Sequence, residues 1–263
     1  MVYGGWFRFF HPAIAAVSVL LFVIEYLLVY VSGAIGVLAA LASALILYAL
    51  ISVLDVSESL ANALEDISIL LIYIMLMAGL PWFYLSQSLL IPAVYSLVLA
   101  LCFWRASSRY PQLGLRGILE HFWLKRVDLK RSYLIGLIGV PLGAIEYFIL
   151  LPPPPAPFFD VLYFLQCMVY MLFFVALAEE IIFRGMILRS LLEFMDPLPS
   201  VLWSALIFSA MHTVWRSVPE LFFTYAAGVL LGSIYYKTRN LVGPILLHAV
   251  NNVMLLTVMP YIA

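Results

Sequence analysis

The chain has 263 residues, of which 66% are hydrophobic and 10% are charged, and its formal net charge is −1 at pH 7. Soluble domains carry about 25% charged residues, so this composition excludes an ordinary soluble fold and predicts a multi-pass membrane protein. The net charge by itself says nothing about nucleic acid, but the chain has no strong basic tail, and no nucleic-acid partner is expected. Two cysteines, Cys102 and Cys167, are too few for a disulfide framework and are expected to be small buried side chains.

A helix needs about 20 mainly apolar residues to cross a bilayer. With that length, and with Gly and Pro residues as interruptions, the sequence predicts an all-α, polytopic membrane helix bundle with eight or nine transmembrane helices. The helices are expected near residues 13–31, 34–54, 67–85, 88–104, 133–151, 160–194, 200–215, 220–236 and 243–260.

The prediction divides a single membrane domain into N-terminal transmembrane helices (1–104), a basic segment (105–132) and a transmembrane core (133–263). The positive-inside rule places the basic segment in the cytoplasm, and an amphipathic surface helix is expected around residues 118–127. The charged residues of this segment are Arg105, Arg109, Arg116, Lys125, Arg126, Lys130 and Arg131, opposed by Glu120 and Asp128.

Polar residues interrupt three of the apolar helices in the predicted core. An ionised side chain inside the membrane costs about 2.5–3.5 kcal/mol on insertion scales. Residues kept at that cost usually pair with one another, line a watery cavity or take part in chemistry. The residues concerned are Glu179, Glu180, Arg184, His212, His248 and Asn252.

The depths of these residues in the membrane are expected to coincide. With the basic segment inside, Glu179 lies ~22 Å and His212 ~18 Å from the cytoplasmic ends of their helices. His248 and Asn252 lie ~9 Å and ~15 Å from the start of the last helix, on one face. Because three helices bring polar groups to overlapping depths, we expect one shared site.

The two neighbouring carboxylates are expected to have different partners. Glu180 and Arg184 are four residues apart, with the acid first, which is the favourable order for an ion pair on one α-helix. Glu179 points about 100° away around the axis and would face the other helices. A lone carboxylate facing imidazoles in a cavity of low dielectric is suited to act as a general base.

The same residues form three motifs, Glu-Glu-x-x-x-Arg at 179–184, Phe-x-x-x-His at 208–212 and His-x-x-x-Asn at 248–252. In this order on successive membrane helices they resemble the CPBP family, the CAAX prenyl endopeptidases of the Ras-converting type with their bacterial and archaeal relatives. The segment Leu-Gly-Leu-Arg at 113–116 is also similar to one found upstream in that family. The resemblance covers roughly residues 110–260.

The resemblance implies an intramembrane endopeptidase of the glutamate type that needs no metal or other cofactor. Glu179 and His212 would activate a water that attacks the scissile carbonyl. His248 and Asn252 would stabilise the resulting oxyanion, and the Glu180–Arg184 pair would support Glu179. These roles meet the physical requirement for a base near a water and for donors aimed at developing negative charge.

Residues 133–263 would then be the catalytic core of an integral membrane protein. Because hydrolysis needs a route for water, we expect the cavity to open to the cytoplasmic side, where the basic segment lies. The partners would be the lipid bilayer and a membrane-associated peptide or protein substrate, with a prenylated CAAX-like C-terminus as one candidate.

Three alternatives use the same residues. A zinc-dependent intramembrane metalloprotease would use two His and one Glu as ligands, although no His-Glu-x-x-His motif is present and Asn is an uncommon zinc ligand. A proton or ion path could include Glu25 and Glu146, which also lie within apolar helices, but no internal repeat supports a transporter. A peptide-binding membrane protein without catalysis is the third.

Overall fold

The computed structural model describes residues 10–79, 87–121 and 128–263. The residues it describes are mainly helical and contain no β-strand, and nine of their helices are long and apolar enough to cross a membrane. This confirms the predicted all-α membrane bundle. Of the two expected numbers of transmembrane helices, eight or nine, the described residues contain the higher. In chain order the helices are α1 (Pro12–Val31), α2 (Gly33–Val53), α3 (Glu58–Gly79), α4 (Gln87–Arg109), the short α5 (Leu115–His121), α6 (Leu129–Leu150), α7 (Val161–Leu191), α8 (Pro197–Trp215), α9 (Val218–Thr238) and α10 (Val242–Ile262).

The predicted start of the third helix was wrong, because α3 begins at Glu58 rather than at residue 67. A search for apolar residues excludes the acidic stretch before residue 67, yet an acid in the first turn of a helix stabilises its N-terminus. Asp66 is nevertheless buried, and its carboxylate accepts a hydrogen bond from the Ser190 hydroxyl. A charged residue with a buried partner can therefore lie inside a helix that hydropathy alone would shorten.

The helices on both sides extend into the predicted basic segment 105–132. The flanking helix α4 extends to Arg109, and α6 already begins at Leu129, where the Asp128 carboxylate accepts a hydrogen bond from the backbone N–H of Arg131 at 3.0 Å. The expected surface helix around 118–127 corresponds in part to α5. Its predicted portion from 122 to 127, which includes Lys125 and Arg126, lies outside the described residues.

The chain divides into two compact units. The first is drawn from Met1–Leu85 and Ile182–Ser233, and therefore contains α1 to α3, the end of α7, α8 and most of α9. The second is drawn from Ser86–Ile181 and Ile234–Ala263, and contains α4 to α6, the larger part of α7 and α10. Both cysteines are free and buried, which confirms the prediction made for them.

In the second unit, α6 and α10 approach each other closely because glycines face the contact. A Cβ atom at Gly139 would collide with the carbonyl oxygen of Leu247, and one at Gly143 would collide with that of Asn251. Small residues allow membrane helices to pack backbone against backbone where no hydrophobic driving force separates helix from lipid. This packing fixes the part of α10 that contains His248 relative to α6.

Candidate active site

The two carboxylates lie on a single α-helical turn between two π-helical segments of α7. The α-helical turn is Leu177–Glu180, and the π segments are Met171–Ala176 and Ile181–Leu188. Segments of π-helix inside longer helices are often found at functional sites. The i,i+4 spacing behind the predicted Glu180–Arg184 pair assumed an α-helix throughout, and the backbone here differs, so the pair stays a prediction.

His248 lies between the carboxylates of Glu179 and Glu180. Its Nδ1 is 2.8 Å from Glu180 Oε1, and its Nε2 is 3.8 Å from Glu179 Oε2. The side chain of Glu180 is fully buried, and that of Glu179 is 13% exposed. The expectation that only Glu179 faces a neighbouring helix was therefore wrong. One imidazole has two nitrogens on different edges of the ring and can face two carboxylates that point in different directions.

The contact with Glu180 constrains the protons of His248. An ionised carboxylate only accepts hydrogen bonds, so Nδ1 carries a proton when Glu180 is charged. In a neutral ring Nε2 is then an acceptor, and Nε2 can donate only when the ring is an imidazolium. Glu180 thus sets both the orientation of the ring and the role open to the nitrogen that faces Glu179.

Tyr95 is a polar neighbour of Glu179 that the sequence analysis missed. Its hydroxyl donates a 2.7 Å hydrogen bond to Glu179 Oε1, and the residue is 6% exposed. Tyr95 lies in the apolar helix α4, and the chain has 16 tyrosines. Because tyrosine is common and unremarkable in membrane helices, no local pattern distinguishes this one.

The His-x-x-x-Asn motif ends in two neighbouring asparagines, Asn251 and Asn252, whose environments differ. Asn251 is buried, and its Nδ2 donates to the carboxylate of Glu146 and, at 3.4 Å, to Oδ1 of Asn252. Asn252 is partly exposed, and no described residue accepts a hydrogen bond from its Nδ2. Glu146 was considered only as part of an ion path, whereas here it has a buried amide partner.

His212 and Arg184 belong to the first unit. His212 follows the α-helical part of α8, which ends at Ala210, and the last turn of α8, Thr213–Trp215, is a 3-10 helix. Its Nδ1 lies 2.9 Å from the carbonyl oxygen of Phe208. Since a carbonyl only accepts, Nδ1 is the donor, and in a neutral ring Nε2 is then an acceptor.

Arg184 is 1% exposed and is held by neutral groups of its own unit. Nη2 donates to the carbonyl oxygen of Gly228 at 3.3 Å, and the guanidinium lies 4.6 Å from the ring centroid of Phe208. A cation over an aromatic face is stabilised by the ring quadrupole. The expected approach of Arg184 to Glu180, and of His212 to Glu179, remains a prediction.

Of the six predicted site residues, the second unit brings Glu179, Glu180 and His248 together. Asn252, in the same unit, accepts a hydrogen bond from its neighbour Asn251. Among the residues that the structure describes, no group of three or more His, Cys, Asp or Glu side chains is arranged to hold a metal ion. The arrangement offers a partly exposed carboxylate, an imidazole and an amide, which are the components of acid–base catalysis with oxyanion stabilisation.

These features define a polytopic helical membrane protein with a carboxylate–imidazole site. Residues 161–254 match the Rce1-like family, described as type II CAAX prenyl endopeptidase Rce1-like. This confirms the resemblance to the CPBP family over that segment, which contains all six predicted site residues, and it indicates an intramembrane protease. No curated protein and no solved structure matches the chain.

Proposed function

We propose that this protein is an intramembrane endopeptidase of the glutamate type that cleaves a membrane-associated peptide or protein. One observation above all supports the proposal. Within the segment that matches a protease family, Glu179 is a partly exposed carboxylate whose oxygen lies 3.8 Å from an imidazole nitrogen of His248. A base that water can reach, beside a group able to stabilise charge, meets the first requirement of peptide hydrolysis.

In the proposed reaction, Glu179 together with His212 activates a water molecule. The water oxygen forms a bond to the scissile carbonyl carbon while its proton moves to Glu179. The tetrahedral intermediate then collapses with cleavage of the C–N bond. The proton passes from Glu179 to the leaving amine, so that the immediate products are a carboxylic acid and an amine and the base is regenerated. General-base assistance of this kind typically contributes 10²–10⁴-fold.

We assign oxyanion stabilisation to Asn252 and His248. The amide of Asn252 supports this assignment, because its oxygen accepts from Asn251 while its Nδ2 has no acceptor among the described residues. An unused donor in a partly exposed position suits a negative charge that develops only during reaction. The role of His248 requires a proton on Nε2, and therefore the imidazolium form.

We assign Glu180 and Arg184 to support rather than to proton transfer. Glu180 is fully buried, and its contact with Nδ1 of His248 orients that ring. Arg184 is buried against Phe208, and it would place a positive charge close to Glu180 along the chain. A contact such as that between Glu180 and His248 holds a reacting group in its working geometry.

The family match and the apolar helices support a membrane-associated substrate. A prenylated C-terminus of the CAAX type is the candidate that we favour, since its lipid would hold the peptide at the membrane. We further propose that the basic segment is cytoplasmic and that the cavity opens on that side, because a buried base needs a route for water.

The direct test is cleavage of a library of prenylated and unprenylated peptides by the purified protein in detergent, with and without a chelator. The proposal predicts cleavage that the chelator leaves unchanged. Loss of cleavage with the chelator, restored by zinc, would favour the metalloprotease alternative, in which Glu179 acts on a metal-bound water. No cleavage of any peptide, together with proton or ion flux in liposomes, would favour an ion path.

A further inference from the structure

We propose that Tyr95 is a positioning residue for the base, an inference that rests on the proposed function of Glu179. The Tyr95 hydroxyl donates to Glu179 Oε1 at 2.7 Å, while the other oxygen, Oε2, faces His248 Nε2 at 3.8 Å. The two carboxylate oxygens therefore have separate tasks. One is anchored to α4, and the other is left to take a proton.

The anchor is needed because the end of a glutamate side chain has little rotational preference of its own. Torsions that end in an sp² carbon have broad, roughly two-fold energy profiles, so the carboxylate plane of an unheld glutamate turns easily. A hydrogen bond to a charged acceptor is stronger than one between neutral groups. Tyr95 can therefore fix the plane of the carboxylate and direct Oε2 toward the imidazole.

The place of Tyr95 in the molecule supports a specific role. It is 6% exposed, and its bond to Glu179 is partly buried, where a hydrogen bond is stronger than in water. Tyr95 lies in α4, outside the matched segment 161–254, although it belongs to the same compact unit as Glu179. The orientation of the base would then depend on a helix that the family match does not cover.

The experiment compares Tyr95→Phe with wild type in peptide cleavage, measuring kcat and KM separately, and measures thermal unfolding in detergent. Tyr261→Phe is the matched control, since its hydroxyl also makes partly buried hydrogen bonds, to both backbone groups of Ala156 at 3.2 and 3.1 Å. We expect Tyr95→Phe to lower kcat about tenfold to a hundredfold, the equivalent of one charge-assisted hydrogen bond, with KM within about twofold of wild type. Tyr261→Phe should leave kcat unchanged.

A second arm does not depend on activity. Infrared difference spectroscopy of protein with ring-labelled tyrosine measures the tyrosine C–O stretches. Comparison with Tyr95→Phe identifies the band of Tyr95. We expect Glu179→Gln to shift that band, because a neutral amide is a weaker acceptor than a carboxylate.

The possible outcomes separate this inference from the proposed function. If wild type cleaves, Glu179→Gln does not, and Tyr95→Phe keeps full kcat, then Tyr95 is not a positioning residue and the proposed function stands. Equal losses of kcat in Tyr95→Phe and Tyr261→Phe would likewise overturn the inference, since the effect would then be structural. If Glu179→Gln is fully active, the proposed function fails. Independently of activity, a Tyr95 band that does not shift in Glu179→Gln would overturn the hydrogen bond between Tyr95 and Glu179.

Discussion

Replacement of Glu180 tests whether this buried carboxylate supports His248. In the imidazolium form that the proposed role of His248 requires, Glu180→Ala would remove the carboxylate that faces a buried charge at Nδ1, and breaking such a pair costs about 3–5 kcal/mol. Glu180→Gln keeps an acceptor oxygen and loses only the charge, which corresponds to about 1–1.5 kcal/mol. At roughly 3 °C per kcal/mol for a chain of this size, thermal unfolding in detergent should fall by roughly 3–5 °C for Gln and about 10 °C or more for Ala.

Asp55→Asn is the control for charge removal, because Asp55 is exposed between α2 and α3. A surface substitution of this kind usually changes stability by less than about 0.5 kcal/mol. The unfolding temperature should therefore be highest for Asp55→Asn, lower for Glu180→Gln and lowest for Glu180→Ala. If Glu180→Ala unfolds at the same temperature as Asp55→Asn, the contact with His248 does not support the site and our reasoning is refuted.

Two further predictions concern the oxyanion donor and the orientation of the chain. Asn252→Ala should lower kcat roughly 10²–10³-fold, as expected for loss of an oxyanion donor, with little change in thermal unfolding because the side chain is partly exposed. A loss of less than threefold would remove Asn252 from the mechanism. A cysteine at Ser107, an exposed position near the end of α4, should react with a membrane-impermeant thiol reagent only from the cytoplasmic side, after Cys102 and Cys167 are replaced by Ala. Labelling in intact cells would reverse our topology.

Much of the membrane architecture could be predicted from apolar length alone, because the bilayer imposes one requirement on every crossing. The same reasoning failed where a buried polar contact compensates a charge. Asp66 lies within α3 because Ser190 satisfies its carboxylate, and that contact joins residues far apart in sequence. Hydropathy cannot register such a partner, so it started the helix too late.

In the site, too, relations within one helix could be predicted, whereas contacts between helices could not. The spacing of His248 and Asn252 could be derived from one helix, and so could the separation of Glu179 from Glu180 around the axis. That derivation assumed regular α-helix, whereas π segments flank the two carboxylates. Tyr95 could not be predicted, since its role depends on which face of α4 meets α7.

The central claim is that Glu179 is the catalytic base, and the most direct measurement is kcat for Glu179→Gln with a peptide that the wild type cleaves. Glu25→Gln is the matched control, because Glu25 is also a buried carboxylate in a membrane helix, 3% exposed, and would matter only for an ion path. We predict that Glu179→Gln lowers kcat by about 10²–10⁴-fold while Glu25→Gln cleaves at the wild-type rate. Full activity in Glu179→Gln would contradict the claim.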